Sequence, residues 1–175
     1  MRLLTENIPP NLIAGIERIR GSKLPVTREQ AKAWGRITYS YEDHEVDALL
    51  DMAVEDAERF TNRSLVDSSV TVVYSSFGRK ISLPYGPVDE VVSVRVGDTD
   101  LDYILEGDYL VINDFWQFGA LTVEYKTKAE VPAGLIIAIQ KAIVSHFEDR
   151  QDVGQGGFGM LPNSSVSILR RYKRY

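Results

Sequence analysis

The sequence predicts an α+β protein: a helical bundle of three to four helices with an inserted antiparallel β-sheet or small β-barrel, and an extended C-terminal tail. Three observations predict it. Apolar residues recur at helical spacing from Val46 to Phe60. The period falls to two between residues 69 and 126. An apolar helical stretch then returns after Pro132. A length of 175 residues suits one ordinary domain, and 44% hydrophobic with 26% charged residues is a globular composition.

Residues 1–26 read as an N-terminal extension. Pro9-Pro10 breaks any regular element, and Asn11 to Arg20 suggests a short helix with Leu12, Ile13, Ile16 and Ile19 on one side, stopped by Gly21. Thr27-Arg28-Glu29-Gln30 has the form of a capping box, so a helix is expected over 27–34, ended by Gly35. A longer helix is expected over 41–61, opened by Ser40-Tyr41-Glu42-Asp43. Its Val46, Leu49, Leu50, Ala53, Ala57 and Phe60 fall on one face, and Asn62 is its stop.

Between 69 and 126 the alternation of Val70, Val72 and Tyr74 with Thr71, Val73 and Ser75 marks a strand. Further short runs follow at Ile81–Leu83, Val91–Val96, Tyr103–Leu105, Tyr109–Ile112 and Leu121–Tyr125, about six strands in all. Glu106-Gly107-Asp108 and Pro84-Tyr85-Gly86-Pro87 are the clearest turns. The helix expected over 132–149 is apolar around more than half of its circumference, which predicts burial on several sides. One of those sides is expected to be a subunit interface carrying Ile136, Ile137, Ile143, Val144 and Phe147. Residues 151–175 read as a flexible linker and a basic tail. Ile168, Leu169, Tyr172 and Tyr175 fall on one helical side of it, and Arg170, Arg171, Lys173 and Arg174 on the other. A helix this short is marginal alone, so the tail is expected to order on a partner, which its tyrosines and arginines suit.

Charge and composition bound the chemistry. The net charge is −5, and no acid follows Asp152, so a basic tail follows an acidic body. Such a balance does not describe a DNA-coating protein. The absence of cysteine excludes thiol catalysis, thiolate zinc sites and a disulfide scaffold. Two histidines, His44 and His146, leave little for a multi-histidine metal site. The opening MRLLTENIPP lacks the apolar core of a signal peptide, and no apolar run approaches the length of a membrane span, so an intracellular protein made without a membrane partner is expected. Gly154 to Gly159 fits the letters of a dinucleotide loop, but a helix precedes it and no acid follows, so a linker is the expectation. His146 reads as a packed residue. Asp47, Asp51, Glu55 and Glu58 form an acidic stripe with no arginine or lysine from Glu42 to Glu58. It reads as a solvated face, a surface that repels a polyanion, or a metal or acid–base site.

Four segments resemble the head-tail connector (adaptor) proteins of tailed bacteriophages. They are Val26 to Trp34 with Arg36-Ile37; Glu42-Asp43 through Val46–Leu50 to Ala57–Leu65; Ile81–Pro84 with Pro87-Val88 and Val91–Val94; and Val131-Pro132 through Ile139 and Ala142-Ile143 to His146–Arg150. The closing Leu169–Tyr172 and the last basic residues also fit. The resemblance covers residues 25 to 175 and makes 27–150 the connector domain. It implies a structural protein of the virion neck, at the capsid portal vertex, assembled in the host cytoplasm and without catalytic residues, metal or cofactor. The implied partners are the portal protein, a stopper or tail-completion protein, and further copies in a dodecameric ring. DNA passes through that ring without specific binding. On this reading the acidic stripe faces the channel, and the tail from Ile168 to Tyr175 docks on the portal. Two other readings stay open: a small metal-dependent enzyme using helix 41–61, and a stand-alone β-rich binding module.

Overall fold

The computed structural model describes residues 11–38, 43–113, 119–151 and 163–174, with the side chains of 149–151 left out. They form two compact units. A sheet unit takes in residues 11–20 and the described residues from 67 to 128, and a helical unit takes in the described residues from 21 to 66 and from 129 to 174.

In the sheet unit, β1 (Leu12–Arg20), β2 (Ser68–Ser76), β4 (Val88–Val96), β5 (Thr99–Asp100) and β8 (Leu121–Thr127) make a five-stranded antiparallel sheet. Its order is β1-β2-β8-β4-β5. β3 (Lys80–Ser82), β6 (Tyr103–Glu106) and β7 (Tyr109–Ile112) make a second sheet in the order β3-β7-β6. Both sheets are open, so the barrel alternative falls. The alternation seen in the sequence decides which face is dry. Val70, Val72 and Tyr74 of β2 share one buried cluster with Val94, Leu110, Ile112, Leu121, Val123 and Tyr125. The opposite face is polar, with Arg95–Glu124 and Lys126–Glu90 ion pairs between neighbouring strands at 3.2 and 2.9 Å. Tyr74 and Tyr125 carry their hydroxyls into the core and donate to Ser82 O and Pro84 O at 2.9 and 2.7 Å. Burial raises both phenols well above the usual tyrosine range, so each stays a neutral donor. Gly107, at φ +64°, makes the turn between β6 and β7, as Glu106-Gly107-Asp108 predicts.

The expected helix over 11–20 is a correction: this segment is β1, paired along β2 from Ile19↔Ser69 to Ile13↔Tyr74. Its apolar spacing suits either element. Nine residues with Gly15 inside make a poor isolated helix, and the available edge of β2 supplies backbone partners.

The helical unit contains α1 (Arg28–Gly35), α2 (Asp43–Thr61), α3 (Ala133–Gln151) and α4 (Asn163–Leu169), with a 3₁₀ turn at Arg170–Tyr172. The Thr27 capping box forms, with Gln30 N–H donating to Thr27 Oγ1 and Thr27 N–H donating to Gln30 Oε1. The second proposed capping start, at Ser40, lies outside the described residues. Asn62 ends α2 in the left-handed region at φ +54°. Val46, Leu50, Ala53 and Ala57 of α2 pack with Leu135, Ala138, Ile139 and Ile143 of α3 in one buried cluster.

Glu58 lies inside this unit with no exposed surface. Its Oε1 accepts from the Leu65 and Val66 N–H groups at 2.7 and 3.1 Å. The bonds hold the chain where it leaves α2. Glu58→Ala leaves two buried donors without this acceptor and is expected to cost about 1–3 kcal/mol in urea unfolding, whereas Glu58→Gln keeps an oxygen there and costs less. An unchanged unfolding midpoint for the alanine variant would contradict this role.

Candidate functional site

The acidic stripe divides on folding. Asp47 is held by Arg28, whose Nε donates to Oδ1 at 2.7 Å and whose Nη2 reaches Oδ2. Lys32 pairs with Asp43 in the first turn of the same helix. Glu55 pairs with Arg59 one turn on, at 2.8 Å. Asp51 and Glu55 are exposed. Glu58 is a correction: its place in the stripe is geometric on a bare helix, yet in the fold it is buried as the backbone clamp described above, so it faces no channel. Charges from α1 relieve the run, which the sequence spacing within α2 does not reveal. Among the described residues no three His, Asp or Glu side chains gather to hold a metal ion.

The hydrogen bond from Arg28 and its positive charge outweigh burial and hold the Asp47 carboxyl below its ordinary value of 3.8. A depressed carboxyl contributes stability that is complete above the unfolded value and is lost as pH falls through the folded one. The protection of α1 amides, taken relative to their intrinsic exchange rate, is therefore expected to fall as pH drops below 3.8, and the difference between the parent and Asp47→Asn should shrink with it. A constant difference across that range would show that the pair does not hold α1.

The five residues assigned to a subunit interface on α3 are mostly covered by their own unit. Ile143 and Phe147 are buried in the core of their own unit, which corrects their assignment to a subunit interface, and Ile136 packs against that core while staying partly exposed. Val144 lies against Gly35, where an added Cβ would come within 3.1 Å of its Cγ2. Ile137 remains 39% exposed. The physical reason is that α1, α2 and α4 all pack on α3, so an almost wholly apolar helix needs no second copy to cover it. His146 is half-buried, and its Nε2 finds no hydrogen bond among the described residues. His44 is exposed. The glycine run 154–159 lies outside the described residues.

The C-terminal segment makes several specific contacts within the helical unit. The expectation that it is disordered alone is a correction. Leu169 is 1% exposed, Ile168 and Tyr172 pack against the core, and Ser165 Oγ donates to Ala138 O at 3.0 Å. Tyr172 lies over Gly134, where a Cβ would meet its hydroxyl at 2.3 Å. Arg63 Nε donates to Tyr172 O at 2.7 Å, and Arg174 N–H donates to Thr61 O at 2.8 Å. Glu130 receives Arg63 at 2.7 Å and Arg174 at 3.5 Å. Burial, and then the nearby Arg63 charge, lower the Arg174 pKa. Lys173 lies 5.7 Å above the Phe60 ring. A short amphipathic helix that is marginal in water is stable here because its apolar side has a core to join. That leaves Arg170, Arg171 and Lys173 exposed, a basic edge on a fixed support. Tyr175 lies outside the described residues. Sequence periodicity separates the two sides of this segment. It carries no signal that Gly134 and Arg63, far along the chain, receive it.

Gly134→Ala tests this docking, because two effects oppose. Alanine in a helix normally stabilises by about 1 kcal/mol over glycine. Against Tyr172 it overpacks, with an expected net loss of about 1–3 kcal/mol. Trypsin should then cut sooner at Arg170 and Arg171. A raised melting temperature with unchanged cleavage would mean that Tyr172 does not seat on Gly134.

No protein-family model matches the sequence, and no curated protein matches it either. Solved structures do. A chain in the neck of an empty gene transfer agent particle, computed with C6 symmetry, superposes with a TM-score of 0.69 at 15% identity, covering 91% of this chain and 96% of the other. A chain from the virion of a native gene transfer agent particle gives 0.65 at 14% identity, covering 90% and 95%. A chain in the neck of the native particle, computed with C12 symmetry, gives 0.61 at 14% identity, covering 91% and 96%. The α+β arrangement of this chain is therefore the fold found in neck chains of a phage-like particle.

Proposed function

We propose that this chain is a head-tail connector, or adaptor. It is a structural protein of the virion neck that forms a ring under the portal protein, extends the DNA channel and docks the stopper or tail-completion protein. The observation that carries this reading is the fold agreement with neck chains over 91% of the chain, a span that takes in both units. The C6 and C12 symmetries of those neck particles support a ring, and the reading takes it as twelvefold.

The site geometry supports a division of labour within the helical unit. Arg170, Arg171 and Lys173 meet the portal, with Ile168, Leu169 and Tyr172 anchoring them from beneath and Arg174 fixed by Thr61 and Glu130. Arginine suits this role because its planar head grips carboxylates through paired hydrogen bonds. Asp51 and Glu55, exposed and acidic, face the channel, where like charge keeps passing DNA from adhering. Asp47 shares that face with its charge balanced by Arg28.

The test is charge reversal, since deleting the segment would remove buried Leu169 and damage the helical core. Arg170→Glu, Arg171→Glu and Lys173→Glu together should leave circular dichroism unchanged and lower stability by no more than the lost Lys173–Phe60 contact, about 0.5–1 kcal/mol, while binding to purified portal is lost. Portal binding by the parent protein should also weaken with added salt. If the triple variant completes DNA-filled heads at the parental rate, the basic edge is not the portal contact.

A further inference from the structure

The five-stranded sheet ends differently on its two sides. At one end, β1 runs for nine residues and pairs only with β2 among the described residues. Leu12, Ile13, Ile16 and Ile19 on it are 53%, 46%, 43% and 69% exposed. Ile16 stands beside Val72 on the face that carries the core, and Ile19 beside Ser69 on the other. Long apolar edges of this kind attract further strands, and proteins usually blunt them with proline, bulges or inward charge. The irregularities in β1 all precede Gly15, so the stretch from Ile16 to Arg20 stays in regular register.

At the other end, β5 covers β4 only at Arg95 and Val96. From Val88 to Ser93 no strand lies on the outer side of β4 among the described residues. Among the described residues two side chains hydrogen-bond to that edge: Asp108 accepts from Val88 N–H at 2.9 Å, and Tyr103 donates to Val91 O at 3.4 Å. Val92 there is 53% exposed.

Strand direction makes these two ends complementary. β1, β2, β8 and β4 alternate, each antiparallel to the next. Four alternating strands leave outer strands that run in opposite directions. A second copy in the same orientation therefore brings its β1 antiparallel to β4 without being turned over. Cyclic symmetry requires this head-to-tail relation, whereas β1 against β1 is twofold and stops at two copies. Antiparallel placement also sets the end of β1 with Arg18 and Arg20 near the end of β4 with exposed Asp89 and Glu90, so the two ends carry opposite charge, with Arg18 already reaching Ser68 and Tyr85 and Glu90 already paired with Lys126.

We propose that β1 of one copy adds to the β4 edge of the next, continuing the sheet from subunit to subunit. Main-chain hydrogen bonds would hold the two copies, and the four aliphatic side chains of β1 would leave water. This inference rests on the ring reading above and names the surface that joins the ring.

The chain has no cysteine, so introduced pairs report cleanly. The full-length protein carrying Ile19→Cys and Val92→Cys, both on the face away from the core, is assembled with portal, oxidised mildly and run without reductant, and Ile19→Cys with Glu90→Cys covers a two-residue shift of register. The expected result is a ladder of covalent species extending well beyond the dimer in one of the pairs, absent from every single variant. Dimers from Ile19→Cys alone would mean twofold β1 pairing and overturn the proposal. Rings visible by electron microscopy with no ladder in either pair would also overturn it while leaving the ring intact. Neither ring nor ladder in the presence of portal would overturn the ring reading as well.

Discussion

The helical unit depends on a buried carboxylate. Glu58 sits near the end of α2, removed from water, and accepts hydrogen bonds from two successive backbone N–H groups. A buried acid is costly unless its acceptors are used, and here they fix the chain just after the helix. The consequences spread locally. Asn62 takes the left-handed conformation, Ser64 O accepts from Glu130 N–H, and Arg63 is set to reach both Glu130 and Tyr172. Thr61 O is left to accept from Arg174. One acid thus organises the point at which α2, the returning chain before α3 and the C-terminal segment meet.

The same region explains how a short, charged segment acquires a fixed form. Its apolar residues alone would not hold a seven-residue helix in water. Burial of Leu169, the Ser165 hydroxyl on Ala138, and the Tyr172 ring over a glycine that has no Cβ to resist it supply what local propensity lacks. The positive charges outside then stand on a rigid base. A binding edge that is already ordered loses less conformational freedom on meeting a partner than a disordered tail does.

The sheet unit follows a different logic. Its interior is made by strict alternation, and two buried tyrosines tie that interior to the Ser82–Pro84 backbone. Its outer face is solvated by cross-strand ion pairs. The rule of apolar inside and polar outside lapses most along β1, where four aliphatic residues stand in water on a strand open along one side among the described residues, whereas Val92, Ile104 and Tyr109 are single exposures on other strands. Several such residues on one edge strand are what a strand-adding surface looks like.

Local pattern by itself determined much of this protein. The helices α1, α2 and α3, the Thr27 capping box, the Asn62 stop and the turn at Gly107 follow from spacing and from residues with special backbone preferences. So do the core faces of β2 and β8, because a period of two has one meaning in a half-buried sheet. What only the tertiary structure decided were matters of partnership. The segment 12–20 is a strand because β2 offers it an edge. Glu58 is buried because two distant-facing amides need an acceptor. Asp47 is paired because α1 returns Arg28 to it. Ile143 and Phe147 are core because three helices close over α3. In each case the sequence states a residue's own preference, and the choice among equal preferences is made by a neighbour on another segment that the residue's own spacing does not reveal.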